Sequence, residues 1–175
     1  MTFLYTFFRY APISGYAPFI KKSIEFAYGA NSEAVKSDRI AAVQSISGTG
    51  GCRLAGEFIR KFFGNKTIYV PNPTWGNHLA IFANSGLKTA YYPYYDQEHN
   101  RVDFRAMLDF FQNLEDNSVF LLHACAHNPT GCDLSKDQWN ELSKVVLKKK
   151  HMVFLDSAYQ VGWVFARSKH YLNCL

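Results

Sequence analysis

Residues 119–156 read VFLLHACAHNPTGCDLSKDQWNELSKVVLKKKHMVFLD, a pattern typical of a strand, a helix and a second strand. The apolar runs at residues 119–122 and 152–155 predict buried strands, and the second runs directly into Asp156. Ser135, followed three residues later by Gln138, predicts a capping box that opens a helix ending near residue 149. Two strands joined by such a helix are expected to pair in parallel.

The same alternation extends back to residue 41. We predict strands at residues 41–46, 67–70 and 87–92, and a tight turn at the glycine-rich residues 48–51. Three further helices are predicted. One spans residues 103–114, and a second is capped by Thr74 and ends at Gly86. The third has an apolar face formed by Leu54, Phe58, Ile59 and Phe62. Alternating strands and helices favour an α/β fold with a mostly parallel sheet flanked by helices.

Composition narrows the class of protein. The 175 residues are 48% hydrophobic and 19% charged, which excludes a disordered or low-complexity chain. The net charge of +5 comes from scattered basic residues, and the cluster at residues 148–150 lies at a predicted helix end, so we expect no nucleic-acid partner. Four cysteines without a secretory signal favour a reducing compartment. The apolar residues 1–8 stop at Arg9, and we expect no membrane association.

Polar residues follow each predicted strand, where open α/β sheets bind their ligands. Ser47, Gly48 and Thr49 open a helix, whose free N–H groups and dipole favour an anion such as a phosphate. A purely structural turn is the alternative for these three residues. The segment matches neither the dinucleotide fingerprint nor the phosphate-binding P-loop, because the required third glycine or Gly-Lys-Ser/Thr is absent.

A second group of residues suits an aromatic ligand. Asp156 emerges from an apolar strand and requires a cationic partner, which a protonated ring nitrogen would provide. Trp75 offers a flat face for stacking, while Asn128 and Tyr159 offer hydrogen-bond donors for a phenolate oxygen. Packing for Trp75, capping for Asp156 and a simple turn at residues 128–131 are the structural alternatives.

A metal site is the competing interpretation. His123, Cys125 and His127 alternate along the predicted strand, and Cys132 follows five residues later. This spacing matches no standard zinc pattern, so we expect no metal. No cysteine is marked as an activated nucleophile.

Four motifs together resemble aspartate aminotransferases of the pyridoxal-phosphate-dependent fold type I group. They are Ser-Gly-Thr-Gly at 47–50, Pro-Thr-Trp-Gly-Asn-His at 73–78, His-Ala-Cys-Ala-His-Asn-Pro-Thr-Gly at 123–131 and Asp-Ser-Ala-Tyr-Gln at 156–160. The resemblance covers roughly residues 9–160. It implies residues 1–40 as the N-terminal segment of the large domain, 41–160 as a partial cofactor-binding large domain and 161–175 as a divergent tail.

The resemblance also implies a role for individual residues in binding pyridoxal 5'-phosphate. The phosphate is expected on Ser47, Gly48 and Thr49, and the pyridine ring under Trp75 with its nitrogen on Asp156. Asn128 and Tyr159 resemble the pair that hydrogen-bonds the ring's phenolate oxygen, and His78 the partner that orients Asp156. Tyr10 resembles the tyrosine that reaches the neighbouring subunit's phosphate, which implies a homodimer. In that family both Asn72-Pro73 and Asn128-Pro129 are cis, so we predict cis bonds here.

The sequence departs from the family after Gln160. The Ser-x-Ser-Lys segment that supplies the family's Schiff-base lysine does not occur, and Lys169 lies in no such context. The substrate-binding arginines do not occur either, so we expect an incomplete copy, inactive by itself, of an enzyme that converts L-aspartate and 2-oxoglutarate to oxaloacetate and L-glutamate. Fragments of an aromatic or other class I aminotransferase, or a non-catalytic fragment that binds the cofactor or a partner, are alternatives. A mitochondrial or cytoplasmic location is expected, with mitochondrial favoured by residues 31–33 and 75–78.

Overall fold

The computed structural model describes residues 10–64 and 66–159, which belong to two compact units, Met1–Ile46 and Ser47–Leu175. The first unit contains α1 (Ala17–Tyr28) and the short α2 (Glu33–Lys36). Pro18 stands in the first turn of α1, where its missing N–H is not needed. The Ser32 side chain caps α2 by accepting from the backbone of Val35. The predicted tail at 161–175 and the first eight residues lie outside the described residues.

The strand predicted at residues 41–46 is wrong. These residues form no strand, and most of them are exposed, with Ile46 91% and Val43 63% accessible. A strand persists only where a neighbouring strand satisfies its N–H and C=O groups, and the described residues of the first unit contain no strand. The apolar composition of residues 41–46 therefore does not lead to a strand here.

The second unit is built around a four-stranded parallel sheet of β1 (Thr67–Asn72), β2 (Lys88–Pro93), β5 (Val119–His123) and β6 (Met152–Asp156). The strand order is β2-β1-β5-β6. The predicted fold class is thereby confirmed. The helices are α3 (Ser47–Phe63), α4 (Asn77–Asn84), α5 (Phe104–Asn113) and α6 (Lys136–Lys149), and β3 (Tyr95–Asp96) pairs antiparallel with β4 (Arg101–Val102).

Strand β5 shows why helices cover both faces of the sheet. Its side chains alternate: Val119 and Leu121 belong to one core, while Phe120 and Leu122 belong to the other. All four are at most 1% exposed, which matches the continuous apolar run of a strand buried on both sides. Ile59 of α3 and Phe82 of α4 fill the first core. The second core contains residues of α5 and α6, namely Met107, Leu108, Phe111, Trp139, Leu142, Val145 and Val146.

Helix boundaries depart from the predictions in two places. Residues 48–51 are the first turn of α3 rather than a separate tight turn. Of the apolar face predicted for α3, Ile59 is buried, whereas Leu54, Phe58 and Phe62 are exposed. Helix α4 begins at Asn77 after Gly76, so Thr74 does not cap it.

Two predicted helix ends are confirmed, the capping box that opens α6 and the glycine that follows α4. Ser135 accepts from the Gln138 backbone at 3.2 Å, and the Gln138 side chain accepts from the Ser135 backbone at 2.8 Å, which completes the capping box of α6. Gly86 follows α4 with φ of +78°, the left-handed conformation that glycine adopts most readily.

Helices α3 and α4 approach each other closely at Gly56. A Cβ atom at this position would lie 2.6 Å from Ser85 Oγ, 2.8 Å from Ser85 Cβ and 3.3 Å from a Phe82 ring carbon. We expect Gly56→Ala to lower the free energy of unfolding by about 1–3 kcal/mol through overpacking, although alanine is otherwise the better helix former. Urea denaturation of the 175-residue chain measures the change.

Gly76→Ala is the matched control. A Cβ there meets no atom within 4 Å, and Gly76 has φ of −55°, which alanine adopts freely. This variant should remain within about 0.5 kcal/mol of the parent. A Gly56→Ala variant that is as stable as Gly76→Ala would show that α3 and α4 separate at little cost.

Candidate functional site

A cleft of about 160 Å³ lies where β5 and β6 end and α3 begins. It is lined by Gly48, Cys52, Trp75, His123, Cys125, Asn128, Asp156, Ala158 and Tyr159. Five residues predicted from the sequence to contact one ligand therefore share one cleft. The peptide bonds Asn72-Pro73 and Asn128-Pro129 are both cis, as predicted.

Asp156 ends β6 and lies opposite His123, the last residue of β5, in the parallel register. Its Oδ2 atom is 3.0 Å from Nε2 of His78, which belongs to the first turn of α4. The His78 side chain is fully buried, while 19% of the Asp156 side chain is exposed toward solvent. One face of the carboxylate is thus fixed by a ring N–H, and its remaining lone pairs can accept from a ligand.

A chain of hydrogen bonds leads from the Asn128 backbone through His123 and Thr74 to His78 and Asp156. The Asn128 backbone donates to Nδ1 of His123 at 3.3 Å, so Nε2 of a neutral His123 ring carries the proton and donates to Thr74 Oγ1 at 3.2 Å. The Thr74 hydroxyl then donates to Nδ1 of His78 at 2.8 Å. His78 can then donate from Nε2 to the Asp156 carboxylate, 3.0 Å away.

The electrostatics support this assignment. Burial, together with the nearby His78, lowers the pKa of His123 from 6.5 to about 4, so the ring is neutral near pH 7. Trp75 lies beside this chain, with its ring perpendicular to that of His78 at a centroid distance of 5.1 Å. Trp75 therefore serves as a cleft wall and as packing for His78 at the same time.

The N-terminus of α3 supplies the second part of the site. Ser47, Gly48 and Thr49 are its first three residues and are exposed. Backbone N–H groups in the first turn of a 17-residue helix have no helical acceptor, and the dipole favours an anion beside them. A Cβ built on Gly48 meets no atom within 4 Å, so there is open space beside this turn.

Cys52 is a cleft residue that the sequence reasoning did not single out as part of the site. It lies four positions after Gly48, one helical turn further along α3, and is 3% exposed. Burial, with a smaller contribution from the Asp156 charge, raises the pKa of the thiol from 9.0 to about 11. Helical spacing from Gly48 is the signal that identifies it, but the predicted turn at residues 48–51 hid that spacing.

The metal ligand set proposed as an alternative is not assembled. Strand β5 ends at His123, so Cys125 and His127 do not continue along a strand face. Nδ1 of His127 lies 2.8 Å from Thr130 Oγ1, and its ring stacks on Tyr94 at 4.0 Å. The Cys132 thiol donates instead to the backbone oxygen of Asn100.

The remaining predicted residues have separate outcomes. Tyr159 lines the cleft and is 51% exposed. Tyr10 belongs to the first unit, where its side chain is fully exposed. Lys169 lies outside the described residues. Across residues 10–64 and 66–159, no helix has the length and apolar character needed to span a bilayer.

Residues 5–171 match the family model described as aminotransferase class I and II. The chain is 46% identical over 155 residues to the mitochondrial aspartate aminotransferase of Arabidopsis thaliana, covering 89% of this chain and 36% of that protein. The cytoplasmic aspartate aminotransferase structure of Saccharomyces cerevisiae superimposes with a TM-score of 0.83 at 40% identity, over 85% of this chain and 36% of that one. The structure of an aromatic-amino-acid aminotransferase of Burkholderia pseudomallei, covalently bound to pyridoxal phosphate, superimposes with a TM-score of 0.84 at 34% identity. That match covers 86% of this chain and 38% of the other. The chain thus spans about a third of these relatives.

Proposed function

Because the chain belongs to the aminotransferase class I and II family, we propose that its activity is that of an aspartate aminotransferase dependent on pyridoxal 5'-phosphate. The enzyme exchanges an amino group between L-aspartate and 2-oxoglutarate. The observation that carries the proposal is the single cleft lined by Gly48, Trp75, Asn128, Asp156 and Tyr159. An anion site, a stacking surface, two hydrogen-bond donors and a carboxylate suit one phosphorylated aromatic ligand.

The cleft residues fit the cofactor by their chemistry. Ser47, Gly48 and Thr49 would hold the phosphate at the first turn of α3, where a Cβ on Gly48 finds open space. Trp75 would stack on the pyridine ring, and the side chains of Asn128 and Tyr159 would donate to its phenolate oxygen. The cleft of about 160 Å³ is below the roughly 300–1,000 Å³ of complete ligand pockets, so these residues form one wall of the site.

Asp156 has the central electrostatic role. Its ionised carboxylate would accept a hydrogen bond from the ring nitrogen and keep that nitrogen protonated. When bound, the cofactor would supply an electron sink for the negative charge that develops at the α-carbon of the amino acid. His78 is a positioning residue, because its buried ring donates to Oδ2 and fixes the orientation of the carboxylate.

Aspartate is favoured over an aromatic amino acid as the substrate class. Curated relatives at 41–46% identity are named aspartate aminotransferases, whereas solved structures named for aromatic amino acids are 32–35% identical. We further propose a homodimer in which Tyr10 reaches the partner's phosphate. The relatives are mitochondrial and cytoplasmic enzymes, and the mitochondrion is our proposed location.

The proposed function is tested in a chimera and in the chain itself. Residues 10–159 would replace the matching segment of the yeast cytoplasmic enzyme, which supplies the catalytic lysine and the substrate arginines. We expect the chimera to convert L-aspartate and 2-oxoglutarate to oxaloacetate and L-glutamate. The 175-residue polypeptide alone should bind pyridoxal phosphate, measured by quenching of tryptophan fluorescence, without turnover above free cofactor.

Trp75→Phe provides the matched control for the binding signal. Phenylalanine retains an aromatic face, so the cofactor's absorbance change should persist while the fluorescence quench decreases. A folded chimera that binds no pyridoxal phosphate would overturn the cofactor assignment. Turnover by the 175-residue chain alone would mean that its catalytic amine lies within these residues.

A further inference from the structure

Three potential metal ligands meet at the buried end of the cleft. Cys52 Sγ, a ring nitrogen of His78 and a carboxylate oxygen of Asp156 all lie within 4.8 Å of one another. They come from α3, α4 and β6, three elements that the two-sided sheet packing brings together. Among the described residues, these three form the one group of His, Cys, Asp or Glu side chains whose ligand atoms lie this close together.

The ligand types suit zinc. Zinc ions bind thiolate, imidazole and carboxylate groups in tetrahedral geometry, and atoms around such an ion lie about 3–4 Å apart. His78 Nε2 and Asp156 Oδ2 are already 3.0 Å apart. Cys52 and Asp156 line the cleft, so a fourth position toward the cleft remains for water. Three protein ligands with one open position is the arrangement of an accessible zinc site.

The surroundings can accept such an ion. Coordination through Nε2 requires the His78 proton to move to Nδ1, where it would donate to Thr74 Oγ1, now 2.8 Å away. The threonine oxygen has two lone pairs and can accept from both His78 and His123. Cys52 would release its thiol proton to solvent as its sulfur becomes a ligand. Thr74 would thus orient the metal-binding ring, as hydrogen-bond partners of zinc ligands generally do.

We propose that Cys52, His78 and Asp156 form a binding site for a zinc-type divalent cation, and that this cation and pyridoxal phosphate exclude each other. The exclusion rests on the proposed function, because both would use the carboxylate of Asp156. A cation here would hold the chain in a form closed to the cofactor. Cation binding itself does not depend on the cofactor assignment.

Cobalt titration of the 175-residue chain tests the site directly. Tetrahedral cobalt bound to thiolate gives a ligand-to-metal absorption in the near ultraviolet and intense visible bands. The parent for this experiment carries Cys132→Ser and Cys174→Ser, which leaves Cys52 and Cys125 as the thiols. We expect one equivalent of cobalt to produce both features, and zinc to displace it.

Two serine variants separate the cleft thiols. Both are buried, at 3% and 6% exposure, so they are matched for environment. Cys52→Ser should abolish the thiolate absorption, whereas Cys125→Ser should keep it, with circular dichroism verifying that each variant is folded. Thr74→Val should weaken zinc binding by about 10- to 100-fold while keeping the thiolate band. A band that survives Cys52→Ser, or disappears in folded Cys125→Ser, would overturn the site.

Addition of pyridoxal phosphate to the cobalt complex tests the exclusion. The thiolate absorption should decrease as the cofactor binds. A chelator that binds cobalt about as tightly as pyridoxal phosphate does is the control for direct removal of cobalt by the cofactor. Simultaneous binding of both would overturn the exclusion. A chain that binds cobalt but never binds pyridoxal phosphate would contradict the proposed function and leave the metal site standing.

Discussion

Replacing Asp156 with alanine should weaken the binding of pyridoxal phosphate to the 175-residue chain by about thirtyfold or more. Removing one partner of a desolvated, hydrogen-bonded charge pair costs about 2–5 kcal/mol, and each tenfold change in affinity corresponds to about 1.4 kcal/mol. His78 holds one oxygen of the carboxylate at 3.0 Å, so the acceptor is already oriented before the ligand arrives. Titration monitored by cofactor absorbance and tryptophan fluorescence measures the loss.

Two comparisons make this result specific. His127→Gln removes a buried ring that bonds Thr130 and does not line the cleft, so its effect should be much smaller. A cofactor analogue with carbon in place of the ring nitrogen should bind the parent and Asp156→Ala equally. Equal losses of affinity in Asp156→Ala and His127→Gln would contradict the role assigned to Asp156. A parent chain that binds the analogue more tightly than pyridoxal phosphate would also contradict it.

Acidification from pH 7 to pH 4 should destabilise the chain by several kcal/mol. Burial lowers the pKa of His123 from 6.5 to about 4, and burial with His123 and His78 nearby lowers that of His127 to about 3. Below pH 6.5 the unfolded chain binds protons that the folded chain excludes, so stability is complete above that pH and falls as pH decreases toward these values. Each unit of pKa difference corresponds to about 1.4 kcal/mol.

Urea denaturation at pH 7.5, 5 and 4 gives the dependence. The carboxylates of Asp156 and Asp133 raise the pKa of His123, but burial lowers it by more. Asp96 and Asp116 have lowered pKa values and lose their stabilisation only below about pH 4. His127→Gln should flatten the profile, because it removes one of the two rings whose pKa burial lowers. A flat parent profile would show that both rings accept protons in the folded chain.

The sequence predicts those parts of the fold that depend on local chemistry. The apolar run at residues 119–122 predicted a buried strand, which the structure places inside the sheet. Ser135 with Gln138 satisfies helix donors locally, so the start of α6 was also predictable. The four motifs also identified the family, which the match over residues 5–171 confirms. The fold type I arrangement is likewise shared with solved aminotransferases.

The wrong predictions concern residues whose structure depends on contacts with residues that are distant in the sequence. Residues 41–46 have strand-like composition, but a strand requires a neighbour that composition does not specify. The hydroxyl of Thr74 suited a helix cap, yet in the structure it lies between His78 and His123, which is 49 positions away. Cys52 remained hidden because glycines at 48–51 favoured a turn, and its side chain faces the cleft only if the helix begins at Ser47.

The hydrogen-bond chain that ends at Asp156 is anchored on the backbone. Its far end is the backbone N–H of Asn128, which has no lone pair to receive a proton. The array therefore ends at a group that cannot accept a proton, and its role is to orient the carboxylate of Asp156. The inner oxygen of the carboxylate faces His78 and 19% of the side chain is exposed, so a ligand reaches Asp156 from the cleft side.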